Sequence, residues 1–231
     1  QRMWFLNQFE PASPAYNIPA VLRVTGTVDL TALRAAVGDV VVRHEVLRTG
    51  YPAVDGSPVA VVTPAAAAAA GLDWRVVDSI AEIEASVTHG FDVTVDKPLR
   101  VRVWPVHDGA IVAIVLHHIA ADGESLRPLV GDLVTAYTAR AAGTEPDFVP
   151  LPVQFADFAV WQHRELGAAD DAHSVLAGQL AYWTEQLAGL PDVLELPGDR
   201  PRPPVASHRG ARISAVIPAE VVAKIEQAAR R

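Results

Sequence analysis

Cysteine is absent from the 231 residues, and that omission removes a block of chemistry. A disulfide framework, a thiol nucleophile, an Fe–S cluster and zinc held by thiolates are all excluded. A basic excess is missing too. Lys plus Arg number 19 against 27 Asp plus Glu, a formal net charge of −8, so no positive face is expected for nucleic acid or for anionic membrane. Long apolar runs are also missing. Hydrophobic residues make up 50%, yet no stretch approaches the roughly 18 residues of a membrane span, and Ala110 to Leu116 has only strand length. Gln1-Arg2-Met3-Trp4 has no charged-then-apolar leader layout. The scattered His44, His89, His107, His163, His173 and His208 form no HExxH-type pair, and no Gly-x-Ser-x-Gly surrounds Ser125. Metal binding and covalent serine catalysis are both disfavoured. The expectation is a soluble, cytoplasmic protein without redox chemistry, of a length between one domain and two.

What is present alternates between strand-like and helix-like segments, which predicts a mixed α/β fold. Asn17 to Thr27 reads as a strand. Asp29 or Thr31 caps a helix carrying Leu30, Leu33, Val37 and Val41 and ending near His44. The run Ala65 to Ala70 reads as a short surface turn of helix without function. Leu72 to Val77 is strand-like, and Ser79-Ile80-Ala81-Glu82 is a capping-box pattern. Leu99 to Val106 alternates apolar and basic residues, which predicts one buried face with Arg100 and Arg102 turned outward. The apolar run ending at His117 predicts a central strand covered on both faces. Helices are expected over 125–142, 157–165 and 173–187. Pro191 to Val205 is proline-rich and reads as a stiff connector; a strand at Ala211 to Ile217 and an amphipathic helix from Ala219 follow. The expected organisation is a lobe over 1–190, a connector over 191–208 and the incomplete beginning of a second lobe over 209–231.

The most informative segment is His117-His118-Ile119-Ala120-Ala121-Asp122-Gly123. Successive strand side chains point to opposite faces, so one histidine is expected to be buried and hydrogen-bonded and the other presented to a site. A lone histidine at a strand end is more often a satisfied core residue than a catalyst, but its imidazole is suited to moving protons near neutral pH.

This segment resembles the HHxxxDG core of non-ribosomal peptide synthetase condensation domains, in the chloramphenicol acetyltransferase-like superfamily. Three further segments resemble that family in order. Gln1-Arg2-Met3-Trp4-Phe5-Leu6 is similar to its first motif. Arg43-His44-Glu45-Val46-Leu47-Arg48-Thr49 is similar to RHExLRT. Phe155-Ala156-Asp157-Phe158-Ala159-Val160-Trp161 is similar to YxDFAVW, with Phe155 in place of tyrosine. The resemblance implies His118 as the active-centre histidine, His117 as its inward structural partner, Asp122 as a structural aspartate ion-paired to an arginine, and Gly123 as a slim turn residue beside a reaction channel. It puts the arginine beyond Arg231, with Arg43 as the candidate within the chain. Glu124 departs from the tryptophan or valine usual there, so acceptor preference is not readable.

The activity so implied is peptide-bond formation between a donor acyl or peptidyl thioester and an acceptor aminoacyl thioester. Both ride on phosphopantetheine arms of carrier proteins, beside an adenylation domain, with no cofactor bound by the chain itself, and the piece alone is expected not to turn over. An epimerisation domain, a non-catalytic recruitment module and an ester-forming acyltransferase are the alternatives; the Asp157 to Trp161 segment, the intact His117, His118 and Asp122, and the RHExLRT match respectively disfavour them. Arg43, Glu45 and Arg48 read as helix-end pairing and capping residues, Asp157 and Trp161 as the cap and anchor of a packed helix, and His44 as a surface or packing residue.

Overall fold

The computed structural model describes residues 2–11, 13–194, 197–198, 201 and 213–230. Its elements in chain order are α1 (Arg2–Phe9), β1 (Asn17–Thr25), α2 (Leu30–Arg43), the short strands β2 (Thr49–Gly50), β3 (Ala53–Val54), β4 (Ser57–Pro58) and β5 (Val61–Val62), α3 (Ala65–Ala70), β6 (Trp74–Val76), α4 (Ile80–Thr88), β7 (Leu99–Val106), β8 (Gly109–His117), α5 (Leu126–Ala141), α6 (Phe155–Leu166), α7 (Val175–Gln186) and α8 (Ala219–Ala229). The chain divides into two compact units, Gln1–Ala181 and Tyr182–Arg231. The second unit holds the end of α7 and the amphipathic α8.

The first unit is organised by a four-stranded sheet of order β1-β8-β7-β6. β8 pairs antiparallel with both β1 and β7, while β6 joins β7 in parallel. Gly109 makes the β7–β8 reversal possible. Its φ is +152°, and a Cβ there would lie 1.9 Å from the Val24 carbonyl oxygen, so only glycine fits. Leu99, Val101, Val103, Val112, Ile114 and Leu116 face α2 and α5 and form the main core with Leu33, Val37, Val41, Leu129 and Leu133. Ala113 packs with Val77 and Ile83 on the α4 face, beside Trp104. β8 is therefore covered on both sides, as its unbroken apolarity predicts.

Asp29 caps α2, its carboxylate accepting from the N–H groups of Thr31 and Ala32. Ser79 caps α4 through the Glu82 N–H, but Glu82 answers to the Asp78 N–H rather than to Ser79's own.

Three expectations fail. Arg100 and Arg102 do not face solvent: they are 5% and 7% exposed, because α4 covers that face of β7. The alternation is real, but the outer positions lie under a helix, where Asp73 and backbone carbonyls receive the guanidiniums. The six-alanine helix is more than a surface turn, since Ala68 is buried against the core and Ala69 Cβ stands 3.8 Å from where a Cβ on Gly38 of α2 would lie. Within the expected strand at Ala211 to Ile217, the described residues 213–217 take no regular secondary structure; a strand needs a ladder partner, and none pairs with it among the described residues. Most of the proline-rich connector, with His208 and the first two residues of that strand, lies outside the described residues.

Candidate functional site

β8 ends at His117, and the two histidines part there as strand geometry requires. His117 is 1% exposed. Its Nδ1 accepts from the Ile119 N–H at 3.0 Å, which assigns the proton to Nε2, a buried atom without a partner among the described residues. The ring packs edge-on to Phe91 and tilted to Tyr16. Burial, helped by the neighbouring His118 charge, pushes the His117 pKa down to about 4, so this imidazole is neutral near pH 7.

His118 is exposed. Its backbone N–H is tied to the Tyr16 carbonyl at 2.8 Å, and its ring makes no hydrogen bond among the described residues. The backbone is held while the imidazole is left available.

The chain then turns through Asp122, whose carboxylate accepts from the Ser125 N–H (2.9 Å) and Oγ–H (2.6 Å), while the Asp122 N–H reaches Ser125 Oγ at 3.0 Å. These bonds from Ser125 hold the Asp122 carboxyl below its usual range. They also commit the one hydroxyl proton of Ser125. No arginine pairs with Asp122 among the described residues. The in-chain candidate Arg43 is engaged elsewhere, because the turns of α5 bring Asp132 rather than Asp122 within its reach. A Cβ on Gly123 would meet nothing within 4 Å, so nothing in the described structure demands a slim residue there.

Around the end of α2, Arg43 Nε donates to Asp132 Oδ2 at 2.9 Å, its Nη1 donates to the Val149 carbonyl, and its guanidinium lies over Phe148. His44 Nε2 meets the same Asp132 oxygen at 2.6 Å. His44 is thus a paired residue at a junction rather than generic packing. Arg48 pairs with Glu45 at 3.0 Å and donates to the Thr63 carbonyl. Gln154 ties in α6 by accepting from the Glu45 N–H and donating to the Arg43 carbonyl. Asp132 is absent from the sequence-based candidates, although a signal exists: it stands between Leu129 and Leu133, the buried stripe of α5, and a carboxylate on such a stripe needs a partner. His44, Ser125 and Phe155 border a small, mainly apolar cavity of about 190 Å³ behind the Ala120-Ala121 turn.

Asp157 accepts from the Gln154 N–H at 2.8 Å and closes a capping box on α6. Trp161 does not anchor a packed helix. It is 54% exposed, and among the described residues it stacks only along its own helix, on Phe158, which meets Phe155 in turn.

A family model described as "Condensation domain" matches residues 1–231. An isonitrile lipopeptide synthase of Mycobacterium tuberculosis is 46% identical over 240 residues, covering 100% of this chain and 10% of the relative. A dimodular nonribosomal peptide synthase of Bacillus subtilis is 42% identical over 237 residues, with coverage of 100% and 10%. The chain thus spans about a tenth of the length of these relatives. Among solved structures, the X-domain in its complex with OxyB from teicoplanin biosynthesis superposes with a TM-score of 0.79 at 32% identity, over 90% of this chain and 46% of that one. The starter condensation domain of rhizomide synthetase RzmA superposes with a TM-score of 0.68, over 83% of this chain and 47% of that one; at 19% identity that likeness is one of fold.

Proposed function

We infer the function from one premise: this chain belongs to the condensation-domain family, whose model matches residues 1–231. Its fold is the mixed α/β, chloramphenicol acetyltransferase-like one of the solved condensation domains. The family is one of amide-forming acyltransferases. The finer reading is that the chain serves condensation of a donor acyl or peptidyl thioester with an acceptor aminoacyl thioester, both delivered on the phosphopantetheine arms of carrier proteins next to an adenylation domain, in the cytoplasm. Among the described residues no helix is long and apolar enough to cross a membrane.

The observation that supports this reading is the exposed, hydrogen-bond-free ring of His118 on a tethered backbone, beside a capped Asp122 turn. In the proposed step the neutral acceptor amine attacks the thioester carbonyl, a C–N bond forms, and the oxygen carries the negative charge of the tetrahedral intermediate. Collapse breaks the C–S bond. His118, about 3 Å from the amine in a productive pose, takes the amine proton and returns it to the departing thiolate, or orients the amine so that proximity carries the rate. His117 cannot share the task, being buried and neutral. It holds the turn through the Ile119 N–H instead.

A second reading, recruitment of a partner enzyme without catalysis, draws support from the X-domain neighbour, which was solved with OxyB; the retained His117, His118 and Asp122 weigh against it. The test is mass spectrometry of carrier-tethered product in the full-length synthetase with both carriers loaded. Wild type forms the amide and His118→Ala forms none. Amide at the wild-type level from His118→Ala refutes the catalytic role. Solvent deuterium at one α-carbon with no new amide points to epimerisation, and neither product in wild type points to recruitment.

A further inference from the structure

The α4 face of the sheet carries a second polar constellation, which Phe91 links to His117. Arg100 and Arg102 of β7 are both buried there, and Asp73 is the single carboxylate that pairs with them among the described residues. Arg100 is fully engaged: its Nε donates to Asp73, its Nη atoms donate to the carbonyls of Ser86, His89 and Gly90, and its plane stacks over Phe91 at 4.2 Å. Arg102 is not. Its Nη1 meets the Asp73 carboxylate at 2.7 Å and donates to the Asp73 and Val101 carbonyls. Every bond it makes among the described residues leaves from that one nitrogen, so the Nε–Nη2 edge of its fork is unspent. Arg75, exposed and without an ion pair among the described residues, is the strand neighbour of Arg102 in the β6–β7 register and shares its face. Two like charges side by side on one sheet face repel. Ser86 of α4, 7% exposed, has a buried Oγ without a hydrogen-bond partner among the described residues. Arg75, Ser86 and Arg102 line one hollow of about 480 Å³.

An unspent guanidinium edge, a repelling neighbour and an orphaned hydroxyl converge on one missing partner, an oxyanion. We propose that this hollow binds a phosphate group, free or as the monoester of a small molecule. The Arg102 edge takes two of its oxygens, Arg75 neutralises it and Ser86, once a χ1 rotation brings its Oγ to the hollow, donates to a third. A carboxylate, with two oxygens, cannot satisfy all three. The remaining acidic residues of the hollow are already occupied. Glu82 accepts from the Asp78 N–H and the Ser79 hydroxyl, and Asp96 accepts from the Asp92 N–H. With Asp73 they balance Arg75, Arg100 and Arg102 in formal charge, so binding is weak, with a dissociation constant on the order of millimolar.

The test uses the full-length protein and its melting temperature in inorganic phosphate, glycerol 3-phosphate, acetate and chloride at matched ionic strength. Inorganic phosphate at tens of millimolar raises the melting temperature by about 2–3 °C over chloride. Arg75→Gln, which touches only an exposed side chain, weakens the apparent affinity about tenfold, and Ser86→Ala weakens it about threefold. Ser86→Ala in chloride melts no lower than wild type, because the hydroxyl it removes is unpartnered. A larger shift with glycerol 3-phosphate than with inorganic phosphate assigns the site to a monoester, and the reverse assigns it to the free ion. No rise over chloride, an equal rise in acetate, or unchanged phosphate affinity in both variants overturns the proposal.

Discussion

Asp132 Oδ2 stands 2.6 Å from His44 Nε2 and in doing so joins α5 to the end of α2, since the same oxygen also accepts from Arg43 Nε at 2.9 Å. A second bridge runs between the same helices farther along, where Arg140 grips Asp39 through two bonds of 2.7 Å. α5 begins just after the Asp122 turn, so these two ties orient the segment that follows His118. Asp132→Asn leaves the partly buried Arg43 and His44 without their anion and is expected to cost about 1–3 kcal/mol. Urea denaturation measures this; an unchanged midpoint would show that the bridge is incidental.

His117 makes stability depend on pH. Its folded pKa, about 4, lies below the ordinary 6.5, so between those values the unfolded chain binds more protons than the folded one. Stability contributed by the neutral buried ring is complete above about pH 6.5 and declines as pH falls toward 4, by at most about 1.4 kcal/mol per unit. His117→Asn keeps an acceptor for the Ile119 N–H but cannot titrate. Unfolding midpoints at pH 7 and pH 5 should therefore differ more in wild type than in this variant. Identical slopes would rule His117 out as the source.

Gly109→Ala tests the hairpin. The added methyl meets the Val24 carbonyl oxygen at 1.9 Å in a backbone region hostile to alanine, and relief requires β1 to move away from β8. The expected loss is about 2–4 kcal/mol, seen as a fall in soluble yield and melting temperature. Normal yield and stability would contradict the packing described for this turn.

Arg100→Lys tests the buried side of β7. Lysine keeps the charge but loses the planar fork that reaches Asp73, three carbonyls and the Phe91 face together. A loss of about 2–4 kcal/mol is expected, with the amide-exchange protection of α4 falling most. A lysine variant as stable as wild type would mean that charge, not shape, holds this layer.

Much of this architecture is legible in the chain itself, and the misreadings share a cause. The Asp29 cap, the unbroken β8 run and the alternation of His117 and His118 follow from spacing, because each depends on neighbours within a few residues. Arg100 and Arg102 escape that logic because alternation says which residues share a face, not what covers it. The indication is indirect: if β8 is covered on both faces, its hydrogen-bonded neighbour β7 is covered as well. Trp161 misleads for the opposite reason. An aromatic stripe on a helix announces an apolar face without saying that anything in the described residues meets it.

The HHxxxDG segment, its three companion motifs and the mixed α/β pattern were determined by the sequence alone, since local periodicity and residue type suffice for them. Only the tertiary structure decided that Asp122 bonds to Ser125, that Asp132 receives Arg43 and His44, and that β7 buries two arginines against one aspartate. Those pairings join residues separated by up to 89 positions or depend on which carboxylate a given helical turn brings round. Chain spacing carries no record of either until the layers pack.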